Sequence, residues 1–336
     1  MKVCLYGAGA IGGLLGVHLA TAGAEVSVVD AGPVLRAIQE KGLRVEEGGA
    51  VHCAKVRAVA DPAELGPQDV VIVAVKGPTL SLLADRIGSL LGEKSVVLTA
   101  MNGVPWWFFH GFGGRYAHTH LKSVDPDGSV AAAIPHDKVL GCVIDLSCAN
   151  VEPGLVHHVA GRKLTIGEPD NTVTPRVRQL AGLLDAAGFD TTVSPSIQHD
   201  IWFKMLGNIT HNPISAITGA TTDRIVDDPL TARLCVEVMA EAIEVGRRLG
   251  CVVHETPEQR NGATRKLGAF KTSMLQDVEA GKAVELDALI GAVSEIARIV
   301  GVPVPFTDAL LGLARLKARV LGLYPETEEQ PRVATA

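Results

Sequence analysis

The sequence predicts an α/β domain with a mostly parallel sheet over residues 1–195, followed by an all-α domain over residues 196–325. In the first part, short apolar runs alternate with helical patterns, which is typical of right-handed βαβ units. Beyond residue 195 the strand pattern gives way to long amphipathic helices. The polar tail, residues 326–336, is expected to be disordered.

Composition narrows the class of protein. The chain has 336 residues, of which 47% are apolar and 20% charged, with a net charge of −6. It shows no basic stripe, so nucleic acid is not an expected partner. The six cysteines are scattered without a CxxC pair, which favours reduced thiols over disulfides or a zinc site. With no signal peptide pattern and no apolar run of ~20 residues, a cytoplasmic protein without a membrane partner is expected.

The elements follow from hydrophobic periodicity. Apolar residues from Ile11 to Ala22 recur at helical spacing, and Gly23 stops this helix. Two further helices are predicted over 34–41 and 80–91. Strands are predicted at Lys2–Tyr6, Glu25–Val29 and Asp190–Val193, and buried strands at Val70–Val75, Ser95–Ala100 and Val139–Cys148. In the second part, one helical face runs from Leu234 to Leu249 and another from Leu286 to Val300.

A glycine-rich turn joins the first strand to the first helix. Its spacing, GxGxxG, is that of a dinucleotide-binding loop, in which the first glycine permits a tight turn. The second glycine lets a pyrophosphate approach, and the third lets helix and strand pack closely. The free N–H groups of the helix N-terminus favour phosphate. A plain glycine turn is the alternative. The residues predicted to hold the cofactor here are Gly7, Ala8, Gly9, Ala10, Ile11 and Gly12.

An acidic residue ends the second strand. Asp30 can accept hydrogen bonds from both hydroxyls of an adenosine ribose and would repel a 2′-phosphate. Ala31 supplies no cation for such a phosphate, and Arg36 is several residues further on. The residue pattern therefore favours NAD(H). The alternative is that Asp30 only caps the following helix.

Two polar residues follow later strands. Lys76 comes after the strand that ends at Val75, and Asn102 comes after the strand that ends at Ala100. Ligands in open parallel sheets bind beyond the carboxyl ends of strands, so both side chains are expected near the cofactor. The alternative is that each residue only belongs to the loop that follows its strand and has no role in binding.

A polar stripe marks an otherwise apolar helix in the second domain. Lys204, Asn208 and Asn212 are spaced i, i+4 and i+8, and Pro213 is expected to end this helix. A lysine among large apolar residues is costly unless it is paired or aimed into a cleft. A snorkelling surface lysine is the alternative.

Two further residues stand at predicted helix starts. Ser273 is expected to cap a helix, with Gln276 completing a capping box. Glu285 opens the next amphipathic helix, where an acid is favoured by the helix dipole. These structural roles alone could account for both residues.

Taken together, these motifs resemble the ketopantoate reductase (2-dehydropantoate 2-reductase) family. The matching pieces are GAGAIGG at the start, Val75-Lys76, Asn102-Gly103, the helix of Lys204, and SMLQDVEAG…VELDALIGAV from Ser273. The resemblance implies a Rossmann-type domain followed by a helical domain like that of 6-phosphogluconate dehydrogenase, with the active site between them. It implies NADP(H)-dependent reduction of a small 2-oxo acid, 2-dehydropantoate, to pantoate in pantothenate and coenzyme A biosynthesis. A homodimer is one arrangement that it allows.

The same resemblance assigns roles to single residues. Lys204 matches the proton donor to the ketone oxygen, and Glu285 matches the acid near that lysine and the nicotinamide ribose. Lys76 matches a cleft position near the nicotinamide. The positions that match substrate-binding residues of the family are Asn208, Asn212, Ser273 and Asn102.

Some features depart from the family pattern. Members commonly carry an arginine after the second strand, where this chain has Asp30-Ala31, so the usual NADPH preference is in question. Phe270 replaces an asparagine that some members have. The apolar run 104–109 is expected at the edge of the cleft, and 106–129 is expected to be an irregular insertion. The histidines of this insertion, His110, His118 and His120, suggest a metal site as one hypothesis. They lack an acidic partner at the spacing of metal ligands, which argues against it.

Two other functions stay open from the sequence. A related 2-oxo-acid, 3-hydroxyacid or opine-type dehydrogenase can share this two-domain plan. A non-catalytic dinucleotide sensor would keep the glycine loop but would not need Lys204 and Glu285.

Overall fold

The computed structural model describes residues 1–326 and divides the chain into two compact units, with the division between Phe203 and Lys204. It falls inside one helix, several residues beyond the boundary expected at 195/196. Of the tail predicted to be disordered, all but Glu326 lies outside the described residues.

The first unit is built on one mixed sheet. Within residues 1–326 this sheet has ten strands, in the order β4-β3-β9-β8-β7-β6-β1-β2-β5, with β10 beside β9. Most neighbours are parallel, as predicted, and the exceptions are β3 with β4 and β8 with β9. The strands are β1 (Lys2–Tyr6), β2 (Glu25–Val29), β3 (Leu43–Glu47), β4 (Ala50–Ala54), β5 (Arg57–Val59), β6 (Gln68–Val73), β7 (Leu91–Thr99), β8 (Val139–Glu152), β9 (Leu155–Gly167) and β10 (Asp190–Val193).

The predicted strands are all present, and β1, β2 and β10 have the predicted bounds. Four further strands, which the sequence did not predict, extend the sheet on both sides: β3, β4, β5 and β9. The central strands are apolar on both faces, and Val3, Leu5 and Ile72 are completely buried. This is expected of parallel strands that are covered on both sides.

Helices of the first unit cover this sheet. They are α1 (Ala10–Thr21), α2 (Gly32–Lys41), α3 (Gly77–Ile87), α4 (Ser129–Ala133) and α5 (Pro175–Ala186). Helix α1 is buried nearly all round rather than on one face, because its glycines admit close neighbours. A β-carbon on Gly13 would lie 2.6 Å from Val156 Cγ2, and one on Gly16 would lie 2.6 Å from Leu43 Cδ2.

The second unit is helical, as predicted. Helix α6 (Ile197–Thr218) starts in the first unit and continues into the second. It is followed by α7 (Thr222–Asp227), α8 (Pro229–Leu249), α9 (Pro257–Arg265), α10 (Ser273–Glu279), α11 (Ala292–Val300) and α12 (Pro305–Val320), with a π-helical turn at Asp287–Gly291. The predicted apolar face from Leu286 to Val300 is buried at every predicted position.

The prediction that Pro213 ends its helix is wrong, because α6 continues to Thr218. A proline inside a helix removes one backbone donor and costs about 3 kcal/mol. The surrounding residues 209–216 are all buried, so packing in the second unit outweighs this local cost. Hydroxyl groups also bond to the backbone of this segment, since Ser215 Oγ donates to the Asn212 carbonyl at 2.8 Å.

Candidate functional site

The glycine loop between β1 and α1 has the geometry that each glycine was predicted to supply. Gly7 has a φ of +97°, which favours glycine, and a β-carbon there would lie 2.6 Å from Val75 Cγ1. A β-carbon on Gly12 would lie 2.0 Å from the Gly7 carbonyl oxygen. By contrast, a β-carbon on Gly9 would meet no atom within 4 Å. The loop is therefore closed at Gly7 and Gly12 and open at Gly9, where a phosphate would approach.

Asp30 is tied directly to this loop. Its Oδ2 accepts a hydrogen bond from Ala8 N at 2.7 Å, and its Oδ1 accepts one from Ala31 N at 2.7 Å. The helix-capping alternative does not apply, because Ala31 is the N-cap of α2. Each carboxylate oxygen has two lone pairs, so both can accept a further hydrogen bond. The carboxylate is thus held beside the glycine loop with capacity for ribose hydroxyls.

Lys76 and Asn102 lie at the same edge of the sheet as the loop. Strands β7, β6, β1 and β2 are parallel, and Tyr6 is in register with Val73 and Val29. Their carboxyl ends therefore meet at one edge, and Lys76 is the N-cap of α3, just after β6. Asn102 follows β7 and is half-buried. The structure brings the glycine loop, Asp30, Lys76 and Asn102 to one edge of one sheet.

The aromatic run after Asn102 does not lie where the sequence analysis expected. Trp107, Phe108 and Phe109 are at most 1% exposed and form part of the core of the first unit. Trp107 Nε1 donates to Thr99 Oγ1 at 3.2 Å, at the end of β7. The expectation of a bulky run at the edge of a cleft is wrong, because large aromatic side chains gain more from full burial.

Two histidines of the insertion, His110 and His118, contact each other, and His110 also contacts His136, which lies beyond the insertion. The rings of His110 and His136 stack with centroids 3.7 Å apart, and His118 contacts His110 edge-on. Burial, and secondarily the charge of His136, lowers the pKa of His110. The described part of the chain contains no group of three or more His, Cys, Asp or Glu side chains that could hold a metal ion.

The predicted stripe on α6 begins with the first residue of the second unit. Lys204 and Asn208 are half-buried, whereas Asn212 is only 6% exposed. Between Lys204 and Asn208 in the chain, Gly207 is half-buried and Leu206 is buried. Lys204, Gly207 and Asn208 thus share the partly open face of α6, and Asn212 continues it into the interior.

The C-terminal half of α6 is joined to the start of α10. Ser215 Oγ and Thr272 Oγ1 are 2.5 Å apart, and Ser215 is one turn beyond Asn212. The cap of α10 is Thr272, whose Oγ1 accepts from Leu275 N at 3.1 Å, so the prediction of Ser273 as the cap is wrong by one residue. Gln276 bonds to the Lys271 carbonyl. Ser273 is therefore the exposed first residue of α10, with a side chain that capping does not use.

Glu285 lies on the segment that leads to the π-helical turn. It is half-buried between Val284 and Leu286, which are at most 3% exposed. The backbone is fixed here by a hydrogen bond from Val284 N to the Leu323 carbonyl at 3.1 Å. The α-helix predicted to begin near Glu285 starts only at Ala292.

A buried histidine on α6 was missed by the sequence analysis. His211 is 4% exposed, and its Nδ1 lies 3.1 Å from the Gly207 carbonyl oxygen. Burial lowers the pKa of His211 to about 4, so the ring is neutral at pH 7. In that state Nδ1 carries the proton for the carbonyl, and Nε2 is an acceptor. A histidine next to the Asn208–Asn212 stripe was the signal that could have pointed to it.

Two protein-family models match the two parts of the chain. The model of the family described as ketopantoate reductase PanE/ApbA matches residues 3–171, and the model of its C-terminal domain matches 196–318. A 2-dehydropantoate 2-reductase of Mesorhizobium japonicum is 43% identical, covering 96% of this chain and all of the relative. Among residues 1–326, no helix is long and apolar enough to cross a membrane.

Solved structures agree over nearly the whole chain. A crystal structure from Ralstonia solanacearum MolK2, named as a candidate ketopantoate reductase, is 51% identical with a TM-score of 0.93. It covers 96% of this chain and 99% of its own. A PanE/ApbA family ketopantoate reductase from Ralstonia eutropha JMP134 is 26% identical with a TM-score of 0.82, covering 96% of this chain and all of its own.

Proposed function

Because the chain belongs to the ketopantoate reductase family, we propose that it is an oxidoreductase that reduces 2-dehydropantoate to pantoate with a reduced nicotinamide. The 43% identity to a 2-dehydropantoate 2-reductase over 96% of the chain carries this proposal. The proposed substrate is a small 2-oxo acid. Its reduction to pantoate is a step in the biosynthesis of pantothenate.

The residues of the glycine loop fit a dinucleotide. The open space at Gly9 would take the pyrophosphate, the N-terminus of α1 would bind it, and Asp30 would accept from the ribose. Lys76 and Asn102, at the same sheet edge, would lie near the nicotinamide. When bound, the reduced nicotinamide supplies a hydride to the ketone carbon.

Lys204 is proposed as the proton donor. An ammonium group placed at the ketone oxygen stabilises the negative charge that develops there and then protonates it. Glu285 would keep the lysine protonated and oriented. The amides of Asn208 and Asn212 and the hydroxyl of Ser273 suit the hydroxyl and carboxylate groups of the substrate.

A panel of 2-oxo acids tests the proposal, with 2-dehydropantoate first. Oxidation of the reduced nicotinamide is followed by absorbance, and 2-dehydropantoate is expected to give the highest kcat/KM. A higher kcat/KM for another 2-oxo acid would assign the chain to a related reductase. If the protein binds the nicotinamide but reduces none of the acids, it is a dinucleotide sensor instead.

NADH is proposed to serve at least as well as NADPH. Asp30 is fixed beside the loop by Ala8 N, where its charge opposes a 2′-phosphate, and Ala31 offers no compensating cation. The two kcat/KM values should therefore be equal or favour NADH. A preference for NADPH above about tenfold, which is ~1.4 kcal/mol of transition-state stabilisation, would contradict this assignment. Replacing Asp30 by asparagine should shift the ratio towards NADPH.

A further inference from the structure

After α12 the chain turns back to the segment that carries Glu285. Gly322 has a φ of +69°, which favours glycine, and the N–H of Leu323 donates to the Ala318 carbonyl at 2.8 Å. This is the Schellman motif, which ends a helix and redirects the chain. Leu323 and Tyr324 follow at once, and both are half-buried.

Leu323 and Tyr324 bond to the chain on both sides of Glu285. On the N-terminal side, the N–H of Val284 donates to the Leu323 carbonyl at 3.1 Å. On the C-terminal side, the hydroxyl of Tyr324 donates to Asp287 Oδ1 at 2.5 Å. These two contacts therefore hold the backbone just before Glu285 and the side chain two residues after it.

Tyr324 is itself held in place by Arg319. The guanidinium carbon of Arg319 lies 5.4 Å from the centre of the Tyr324 ring, within the range of a cation–π contact. Arg319 Nε also donates to the Pro325 carbonyl at 3.1 Å. Burial, and secondarily the bond to Asp287, raises the pKa of Tyr324 to about 12, so the hydroxyl keeps its proton at neutral pH. Tyr324 is thus a fixed donor to Asp287.

Asp287 is the first residue of the π-helical turn. The N–H of Gly291 donates to the Leu286 carbonyl at 2.9 Å, which is the five-residue bond of a π-helix. Such turns are rare and occur frequently at functional sites. Arg315 of α12 makes a second contact with Asp287, at 3.4 Å from Nη2 to Oδ1. The carboxylate of Asp287 therefore ties the start of this turn to α12 and to the residue Tyr324 beyond it.

Glu285 depends on these contacts because its own segment is irregular. Residues 282–286 belong to no helix or strand, so no regular ladder of backbone bonds fixes them. A functional side chain has to be held within about 0.5 Å of its productive position by neighbours whose own conformations are locked. Tyr324 and Asp287 are neighbours of this kind.

We propose that Tyr324 and Asp287 are positioning residues that hold Glu285 in place to serve the proton donor. This assignment rests on the proposed function, in which Glu285 keeps Lys204 protonated and oriented. The role is indirect: the Tyr324 hydroxyl fixes Asp287, and Asp287 fixes the segment that carries Glu285. All of these residues belong to the second unit.

The kinetics of Tyr324→Phe with NADH and 2-dehydropantoate test this role. The substitution removes one hydroxyl and keeps the ring, so the bond to Asp287 is lost while the ring can still pack against Arg319. We expect kcat to fall by about 5- to 20-fold, the range for loss of a hydrogen bond to a charged group, with each KM within about threefold of wild type.

The pH dependence of kcat provides a readout that lower stability alone would not change. A displaced Glu285 would hold the proton on Lys204 less well. The basic limb of the kcat profile of Tyr324→Phe should therefore move to lower pH. An unchanged kcat and an unchanged pH profile would overturn the assignment.

Two further variants control for indirect effects. Tyr116→Phe removes the hydroxyl of a tyrosine in the first unit that bonds to Arg115, and it should leave kcat and its pH profile unchanged. Asp287→Asn keeps an acceptor for Tyr324 but removes the charge that strengthens the bond, so kcat should fall by less than in Tyr324→Phe. Asp287→Asn also becomes the test variant if thermal melting shows that Tyr324→Phe does not fold.

Hydrogen exchange separates this proposal from the proposed reaction. Exchange of the backbone amides of residues 284–291 is followed by mass spectrometry in the wild type and in Tyr324→Phe. Faster exchange confined to this stretch supports the fixing of the Glu285 segment even if no 2-oxo acid is reduced, in which case only the proposed function fails. Equal exchange in both proteins, or faster exchange throughout the second unit, would overturn the assignment whatever the kinetic result.

Discussion

Substitutions of single glycines in the loop are expected to affect protein stability and cofactor binding separately. Gly9 has a φ of −68°, which alanine adopts readily, and open space around its β position. Gly9→Ala should therefore keep the melting temperature but weaken NADH binding by about tenfold or more, which is ~1.4 kcal/mol. Fluorescence titration of NADH together with thermal melting measures both effects. Unchanged NADH affinity would show that the pyrophosphate does not approach Gly9.

Gly12 is the matched comparison within the same loop. Its β-carbon would lie 2.0 Å from the Gly7 carbonyl oxygen, so Gly12→Ala must displace backbone. Overpacking of this kind costs about 1–3 kcal/mol of unfolding free energy. A lowered melting temperature is therefore expected for Gly12→Ala and not for Gly9→Ala.

His211 should make the stability of the protein depend on pH. Burial lowers the pKa of His211 to about 4 in the folded chain, against an ordinary value of 6.5. Below pH 6.5 the unfolded chain binds a proton that the folded chain does not, so stability falls as the pH falls towards 4. The full effect is about 3 kcal/mol of unfolding free energy.

The variant His211→Asn isolates this contribution. Asparagine keeps an N–H donor for the Gly207 carbonyl but does not titrate, so the loss of stability between pH 7 and pH 4.5 should shrink. Urea unfolding of wild type and variant at both pH values measures the difference. His254→Asn, at an exposed position, is the control. An equal pH dependence in wild type and His211→Asn would show that His211 is not buried in its neutral form.

At the scale of elements, the start of α12 depends on a carboxylate from α8. Glu241 accepts hydrogen bonds from Phe306 N at 2.9 Å, Thr307 N at 2.8 Å and Thr307 Oγ1 at 2.7 Å. It satisfies donors that the first turn of a helix leaves unpaired, and its charge suits the helix dipole. Glu241→Ala should therefore lower the free energy of unfolding by about 1–2 kcal/mol.

Glu237, one turn earlier on α8, provides the control. It forms an ion pair with Arg233 at 3.7 Å whose arginine is 79% exposed, and exposed pairs contribute about 0–1 kcal/mol. Denaturation of Glu237→Ala should therefore resemble that of wild type. A similar loss of stability in both variants would contradict a specific role for Glu241 as a cap.

Helices and strands were predictable where the local hydrophobic pattern of the sequence agrees with the burial of the residues in the fold. The strands β1 and β2 are apolar, buried and bounded by glycine or acidic residues, and their bounds were predicted correctly. Strand β9 carries histidines, Gly161 and basic residues, so its pattern is weak. One of its partners, β3, is more than a hundred positions earlier in the chain, and no local signal reveals that pairing. The continuation of α6 through Pro213 likewise depends on burial, which local propensity does not contain.

The site residues also divide into those that the local sequence reveals and those that depend on tertiary packing. The glycine loop, Asp30 and the Lys204 stripe have spacings that the sequence displays directly. The burial of His211 is not displayed in this way, because only the folded structure shows that this position of α6 is in the interior. Burial of the aromatic run around Trp107 was also hidden, since apolar character alone does not distinguish a cleft wall from a core.

At the scale of the whole molecule, the proposed roles divide between the two units. The glycine loop, Asp30, Lys76 and Asn102 belong to the first unit. The proposed proton donor and the residues proposed to bind the substrate in α6 and α10 belong to the second. A change at Lys204 is therefore expected to impair the chemical step without impairing retention of the nicotinamide.

The kinetics of Lys204→Ala with NADH and 2-dehydropantoate test this most directly. Removal of the proton donor should lower kcat by about 10²- to 10⁴-fold, the usual contribution of a general acid. The Kd for NADH should stay within about twofold, which is under 0.5 kcal/mol. Lys271→Ala, at an exposed lysine that pairs with Glu279 at 2.8 Å, should behave as wild type. A kcat for Lys204→Ala within tenfold of wild type would contradict the account.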